Sequence, residues 1–380
     1  TLNHTFEEIY YNCLNAESLK NQLLSSNAIA QIRDLPLHVL PKKYALADFL
    51  DFAKTENAFL FIGLHGDIGE DGTLQQMAEA HGIPYNGSNP YTSELCMDKF
   101  QTGLVIDAIR NPNIQSLPKK SFTTQELHQI GNFEHFWKDL ISDLKAETLI
   151  IKPRNDGCSA GIVKLSSALD LKTYLYFLKQ QLPSIPSHTF TDQPEIVELS
   201  LNPNAHFIFE PYIKTDAIYI EDNCIHYTPQ SGWLELTVGV LEKGGEGGPG
   251  YHSLNPSITI ASGSILSLEE KFQGGTGVNL TPPPSSIISE KQVDQIKQSI
   301  ELVAQTLGIN NYARIDIFFN ILTEVMVVIE ANTLPAMTPS TVIYHQALAE
   351  TPPMAPTSFL ENLVNNKLNS YRNKPECAIP

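Results

Sequence analysis

Residues Ala313 to Thr341 read ARIDIFFNILTEVMVVIEANTLPAMTPST, and the fold turns on how this stretch is laid out. Arg314 and Asp316 stand two apart among alternating apolar residues, Ile315 and Ile317, so on a strand both point to one face. Asn320 to Glu324 reads as a turn, and Val325 to Ile329 as a second apolar strand delivering Glu330 and Asn332, again two apart. Two carboxylates and an amide converging beside an arginine make an all-oxygen set, which hard Mg2+ prefers when it also holds phosphates. The plain alternative is a solvated charged rim.

The chain around this hairpin has 380 residues, enough for two or three domains with cores of their own. A hydrophobic content of 42% with 18% charged residues places it among ordinary soluble globular proteins. The net charge of −17 argues against nucleic acid or an anionic membrane surface as the main partner. A nucleotide is still compatible, because one local basic pocket suffices. The five cysteines (Cys13, Cys96, Cys158, Cys224, Cys377) are scattered and lack CxxC spacing. That favours reduced thiols over a disulfide frame or zinc site. No run reaches the length of a membrane span and no signal peptide is read, so a cytoplasmic setting is expected. A chain opening on Thr1 is read as a processed or partial product.

Upstream, helical pieces are expected at Thr5 to Leu14, Glu17 to Ser25 and Leu46 to Lys54. The apolar run NAFLFIGL (Asn57 to Leu64) is read as a buried parallel strand, followed by HGDIGEDG, a helix from Leu74 to His81 closed by Gly82, and IPYNGS. Strand, glycine-rich loop, helix and strand indicate a doubly wound α/β unit with its site at the strand C-termini. A helix starting at Tyr91 carries MDKF. Strands are expected at Thr148 to Lys152, Gly161 to Leu165, His206 to Tyr212, Leu234 to Leu241 and Ser257 to Ala261, with a helix from Ala168 to Gln181. GGEGGPG (Gly244 to Gly250) lacks the Lys-Ser/Thr ending of a phosphate loop and is read as a hairpin tip. The segment after Asn366 reads as a polar tail.

Five segments occur in a fixed order: HGDIGEDGTLQ, MDKFQT, IIKPRNDGCSAG, EKFQGGTG and RIDIFF…VIEANTLPAMTPST. Together, from about Asn57 to Glu350, they resemble the D-alanine–D-alanine ligase family of the ATP-grasp superfamily, with wording nearest a plant-like branch of tandem ligase units. The resemblance implies an α/β ATP-grasp fold of three domains. These are an N-terminal α/β Rossmann-like unit (1–93), an α+β lid (94–208) and a C-terminal α+β catalytic domain (209–372), followed by a tail (373–380).

It also implies roles. Lys99, from the lid's first helix, and Lys152, from the lid's sheet, hold ATP phosphates, covered by the Gly157 to Gly161 loop. Glu210, Pro211, Tyr212 and Ile213 match the hinge strand that meets adenine, and Glu235 the carboxylate that takes the ribose hydroxyls. By themselves, Glu210 and Glu235 read as strand-end charges and the two lysines as snorkelling side chains. Asp316, Glu330 and Asn332 become ligands of two Mg2+ ions, with Mn2+ as the alternative, and Arg314 faces the oxyanion. Lys271 and Gly274 to Gly277 belong to a loop that closes over the substrates, and Ser159 to the substrate-side serine pair. His65 and Glu70 lie near the acyl phosphate, while Ser340, Thr341 and Val342 open the final helix toward the second substrate's carboxylate.

Three positions depart from the family pattern. Phe272 stands where Tyr is usual, which within the family accompanies D-lactate as acceptor; Cys158 replaces a Ser; and Ala336 replaces a Gly in NTxPGMT. The family's opening GG-S-E loop has no counterpart before Asn57, which assigns that element to a truncated part, another chain or a tandem unit. The expected activity is ATP-dependent joining of D-alanine to a second D-alanine, or a related D-amino or D-hydroxy acid, for peptidoglycan precursors. The alternatives are a D-Ala–D-lactate depsipeptide ligase and a non-catalytic Mg-ATP-binding half of a tandem ligase. The expected partners are D-alanine, ATP and either a second copy or a tandem domain, with no nucleic acid and no membrane; an organellar stroma is the setting for a plant-like source.

Overall fold

The alternation around Arg314 is realised as the strand Tyr312–Asn320, which pairs antiparallel with Met326–Asn332. The turn between them is held by Asn320, whose side-chain carbonyl accepts from the N–H groups of Leu322 and Thr323, each at 3.0 Å. The computed structural model describes residues 44–64, 66–155, 160–199, 202, 205–222, 224–243, 250–260, 278–338 and 341–372.

Among the described residues the hairpin is the centre of a seven-stranded sheet. Its order is Ile114–Ser116, Met326–Asn332, Tyr312–Asn320, Trp233–Lys243, Ser257–Ile260 and Val278–Leu280, with Gly250–Ser253 also paired to Trp233–Lys243. One face is covered by the helix Glu290–Leu307, which starts at a Ser289/Gln292 capping box and stops at left-handed Gly308. Its Ile296, Ile300, Val303 and Leu307 recur at helical spacing and bury against Ile315, Ile317 and Val328. The other face packs Tyr312, Leu241 and Leu254 against the helices Leu46–Thr55, Thr73–His81, Val342–Leu348 and Pro356–Arg372.

A second, four-stranded sheet runs Lys120–Thr123, His206–Pro211, Leu149–Pro153 and Val163–Leu165. It has a core of its own, in which Leu149, Ile151, Phe207 and Phe209 meet Trp137, Leu140, Leu171 and Tyr174 from the helices Phe133–Leu144 and Ala168–Lys179. Lys243 pairs with Gly250, so the two strands flanking the glycine-rich segment form a hairpin; its tip, residues 244–249, lies outside the described residues.

Several expectations need correction. Among the described residues, Asn57 to Leu64 pairs through a single parallel bridge, Leu60 to Tyr85, and the next backbone groups, those of Ile62, are met by Asn86. Its side-chain carbonyl accepts from the Ile62 N–H at 2.5 Å and its amide donates to the Ile62 carbonyl at 3.1 Å. The helix carrying MDKF breaks into Pro90–Met97 and Lys99–Asp107, since Asp98 turns extended and caps the second piece through the N–H groups of Phe100 and Gln101. That second helix packs into the core of the large sheet through Ile106, instead of into the lid core. After Asn366, residues 367–372 continue the helix Pro356–Arg372, anchored by Phe359 and Leu363, instead of starting a tail; residues 373–380 lie outside the described residues. This helix follows the helix Val342–Leu348, which is therefore not the last. The segments expected as helices from Thr5 to Ser25 lie outside the described residues.

Candidate active site

The pairing register gathers the acidic cluster. Arg314 lies opposite Asn332, Asp316 opposite Glu330, and Thr237 opposite Asp316 on the other side. A bulge shifts the register between Asp316 and Ile317, so that Ile317 faces Val328 and Ile329 is the extra residue. Without it, Ile329 would oppose Asp316 and Glu330 would be aimed at the apolar face. The bulge thus turns both polar ends of the hairpin to one side, which a reading of alternation alone does not supply.

The side chains then meet. Arg314 donates to both oxygens of Asp316 at 3.2 Å, Asn332 approaches the same carboxylate at 3.4 Å, and Thr237 donates its hydroxyl to it at 2.5 Å. Lys99 reaches Glu330 at 3.8 Å. Burial by itself disfavours the charge on Arg314, but Asp316, Glu330 and Glu70 outweigh it and hold the guanidinium firmly protonated. Glu70, buried at the end of Asp67–Glu70, accepts from the backbone N–H of Leu334 at 3.1 Å and of Gly66 at 3.0 Å. It thereby ties the HGDIGEDG loop to the NTLPAMT loop beside the arginine.

A second cluster sits on the small sheet. Lys152 and Glu210 are diagonal neighbours on paired strands, and their side chains meet at 2.7 Å. Lys119, one residue before the strand Lys120–Thr123, reaches the other Glu210 oxygen at 2.9 Å. Burial alone would push the Glu210 carboxyl up, but Lys152 and Lys119 together hold it below the usual range. Between the clusters, Asp98 takes a bidentate pair from Arg154 at 2.7 and 2.6 Å, and the Lys99 N–H donates to the Arg154 carbonyl at 3.1 Å. The first residue of one helix is thus fixed to the end of the strand that bears Lys152.

Tyr212 and Ile213 follow that strand directly, and the Lys164 ammonium stands 5.1 Å from the Tyr212 ring centre. Burial raises the Tyr212 hydroxyl, Lys164 opposes this, and Asp192 and Glu235 add to the rise. Glu235 is therefore within electrostatic reach of the hinge. Ala336 is half-buried in the loop after Asn332, while Thr341 and Val342 open the seven-residue helix Val342–Leu348. His65, Ser159, Lys271, Phe272 and Ser340 lie outside the described residues, as do Gly157, Cys158 and Gly274 to Gly277.

Four residues of this region carry little signal in the sequence. Lys119 follows a proline in LPKKSF and looks like a surface lysine. Thr237 is hidden in a strand. Asp98 and Arg154 sit inside motifs credited to their neighbours. The N-cap pattern at Asp98 was the available signal.

A family model described as D-ala D-ala ligase C-terminus matches residues 218–365. A D-alanine–D-alanine ligase of Leptospira interrogans serovar Lai is 25% identical over 320 residues, covering 83% of this chain and 75% of that protein. The chain is thus similar to the D-alanine–D-alanine ligase family, through the family model over residues 218–365 and through relatives such as this one at 25% identity. Solved structures agree on the fold. The D-alanine–D-alanine ligase of Bacillus anthracis complexed with ATP superposes with a TM-score of 0.59 at 17% identity, covering 93% of this chain and 95% of that one. A D-Ala:D-Ser ligase of Enterococcus faecalis gives 0.57 at 20% identity, covering 81% and 72%. This is an α/β protein of the ATP-grasp fold, and among the described residues no helix is long and apolar enough to cross a membrane.

Proposed function

We propose that the chain is an ATP-dependent ligase that joins D-alanine to a second D-alanine, or a related D-amino or D-hydroxy acid, for peptidoglycan precursors. The observation that carries this is the meeting of Arg314, Asp316, Glu330 and Asn332 on one side of the sheet, with Lys99 on Glu330, in a chain similar to this family.

In this reading, the carboxylate of the first D-alanine attacks the γ-phosphorus of ATP, releasing ADP and forming an acyl phosphate. The amine or hydroxyl of the second substrate then attacks the acyl carbon, and the tetrahedral intermediate collapses to product and phosphate. Lys99 and Lys152 hold phosphate oxygens, Glu210 to Ile213 flank the adenine, and Glu235 takes the ribose. Asp316, Glu330 and Asn332 offer two carboxylates and an amide oxygen, a hard-oxygen set that fits Mg2+, with Mn2+ as a substitute. When bound, these ions neutralise charge on the transferred phosphoryl group. Arg314 keeps a fixed positive charge where the oxyanion develops, a task that suits a guanidinium because it does not titrate. Glu70 positions the Leu334 backbone beside it. Lys271, Ser159, His65, Phe272, Ala336, Ser340, Thr341 and Val342 complete the substrate side. The helix Lys99–Asp107, packed on the large sheet, and the small sheet bearing Lys152 and Glu210 bring the two clusters to the nucleotide.

Phosphate release from Mg-ATP tests this with four mixtures: no acceptor, D-alanine alone, D-alanine with D-lactate, and D-alanine with D-serine. Release that depends on D-alanine supports the ligase, and the mixture giving most product names the second substrate. Bound ATP with no release in any mixture overturns it in favour of a nucleotide-binding half of a tandem enzyme.

A further inference from the structure

Glu210 is a buried carboxylate held between two ammonium groups, and the two are not alike. Lys119 has three donors and three acceptors: Glu210 Oε1 at 2.9 Å, Ser116 Oγ at 2.9 Å and the Leu117 carbonyl at 3.1 Å. Its ammonium is saturated and has no donor left for a ligand. Lys152 meets Glu210 Oε2 at 2.7 Å, and among the described residues no other partner of its ammonium is seen, so two donors stay available. All three side chains are 5 or 6% exposed.

The fold also keeps a slot for the Lys119 head. It lies against Gly103 on the helix Lys99–Asp107. A β-carbon at Gly103 would stand 2.6 Å from Ser116 Oγ, 3.2 Å from Lys119 Nζ and 3.3 Å from its Cε. The absence of a side chain there is what lets lysine, serine and glutamate meet. The same helix starts with Lys99, so the slot is part of the element that carries the other phosphate-directed cation.

We infer that Lys119 is a positioning residue for the nucleotide: a fixed counter-ion that keeps Glu210 neutralised while Lys152 turns its spare donors to a phosphate oxygen. The inference rests on the nucleotide reading above. If Lys152 shared its charge with a phosphate and Glu210 had no second cation, a buried carboxylate would be left under-paired, a costly state. Lys119 removes that cost, and its own saturation keeps it from competing for the phosphate.

Titration calorimetry with Mg-ATP and, separately, with adenosine tests this on the whole chain. Lys119→Met should weaken Mg-ATP on the order of 100-fold and change adenosine binding by less than about threefold, since adenosine carries no phosphate for Lys152 to meet. Adding Glu210→Gln to Lys119→Met should restore most of the Mg-ATP affinity, because the charge that needed Lys119 is gone. Equal losses for Mg-ATP and adenosine, no loss, or no recovery in the double variant would each overturn the inference. If Lys119→Met does not fold, Gly103→Ala displaces the same ammonium; it should weaken Mg-ATP and spare adenosine, and the opposite pattern refutes the idea. Wild-type protein that binds no Mg-ATP would sink the nucleotide reading itself, and Lys119's role with it.

Discussion

Asp98 joins two parts of the protein, and removing its side chain should show it. The carboxylate caps the helix Lys99–Asp107 through Phe100 N and Gln101 N at 3.0 and 3.1 Å, and it takes both guanidinium contacts of Arg154. Losing the cap costs about 1 kcal/mol. The ion pair is neither fully exposed nor fully buried, at 13 and 20% side-chain exposure. It should therefore fall between surface and buried pairs, at about 2 kcal/mol. Asp98→Ala should then lose about 3 kcal/mol, while Asp98→Asn keeps the cap and loses about 2. Arg154→Met keeps the cap and should match Asp98→Asn.

Urea unfolding followed by Trp233 fluorescence in a Trp137→Phe background reads the large-sheet core against which this helix packs. The pH dependence gives a second handle. Burial pushes the Asp98 carboxyl up, but Arg154 and the backbone N–H groups of Gln101 and Phe100 hold it below its usual value. A carboxyl lowered on folding stabilises fully above its unfolded pKa and loses that contribution as pH falls through the folded value. The gap between wild type and Asp98→Ala should thus stay level from pH 8 to about 5 and close below about 4. An Asp98→Ala loss no greater than that of Asp98→Asn, or a gap that widens in acid, refutes the reasoning.

Three further outcomes follow. Arg314→Lys should lower kcat by about 100- to 1,000-fold with little change in KM for ATP, read by ADP release; an unchanged kcat removes Arg314 from the chemistry. Thr237→Val deletes the hydroxyl that donates to Asp316, worth about 2 kcal/mol for a bond to a charged acceptor, and should raise the Mg2+ concentration needed for half-maximal rate; an unchanged requirement counts against Asp316 as a ligand. Gly239→Ala would set a β-carbon 2.8 Å from Gln346 Oε1 and 2.9 Å from Ile343 Cγ1 and Leu254 Cδ1. It should cost about 1–3 kcal/mol by overpacking, visible as a lower urea midpoint, and a neutral result would mean the helix Val342–Leu348 yields freely.

Much of this was legible because hairpins announce themselves. Alternation placed Arg314 with Asp316 and Glu330 with Asn332, and the ordered motifs gave the fold. The register was not legible: the bulge at Ile329 depends on which residues of the partner strand need burial, a property of two strands together. Asn57 to Leu64 shows a related limit: among the described residues its Ile62 backbone groups are met by the side chain of Asn86, a partner that an apolar run does not announce. Lys119 and Gln346 were invisible because their partners lie far along the chain. Lys119 meets Glu210, and Gln346 accepts from Gly239 N while donating to the Thr237 carbonyl. Each reads in sequence as an ordinary polar residue.

The central claim is that a carboxylate oxygen attacks phosphorus at this corner of the sheet. D-alanine labelled with 18O in its carboxylate, incubated with Mg-ATP and the chain, tests it through the isotopic content of the released phosphate. An acyl phosphate route transfers one labelled oxygen from each activated D-alanine to phosphate. Phosphate that forms without label would mean that water, and not the substrate's carboxylate, attacks ATP, and the ligase account would fall.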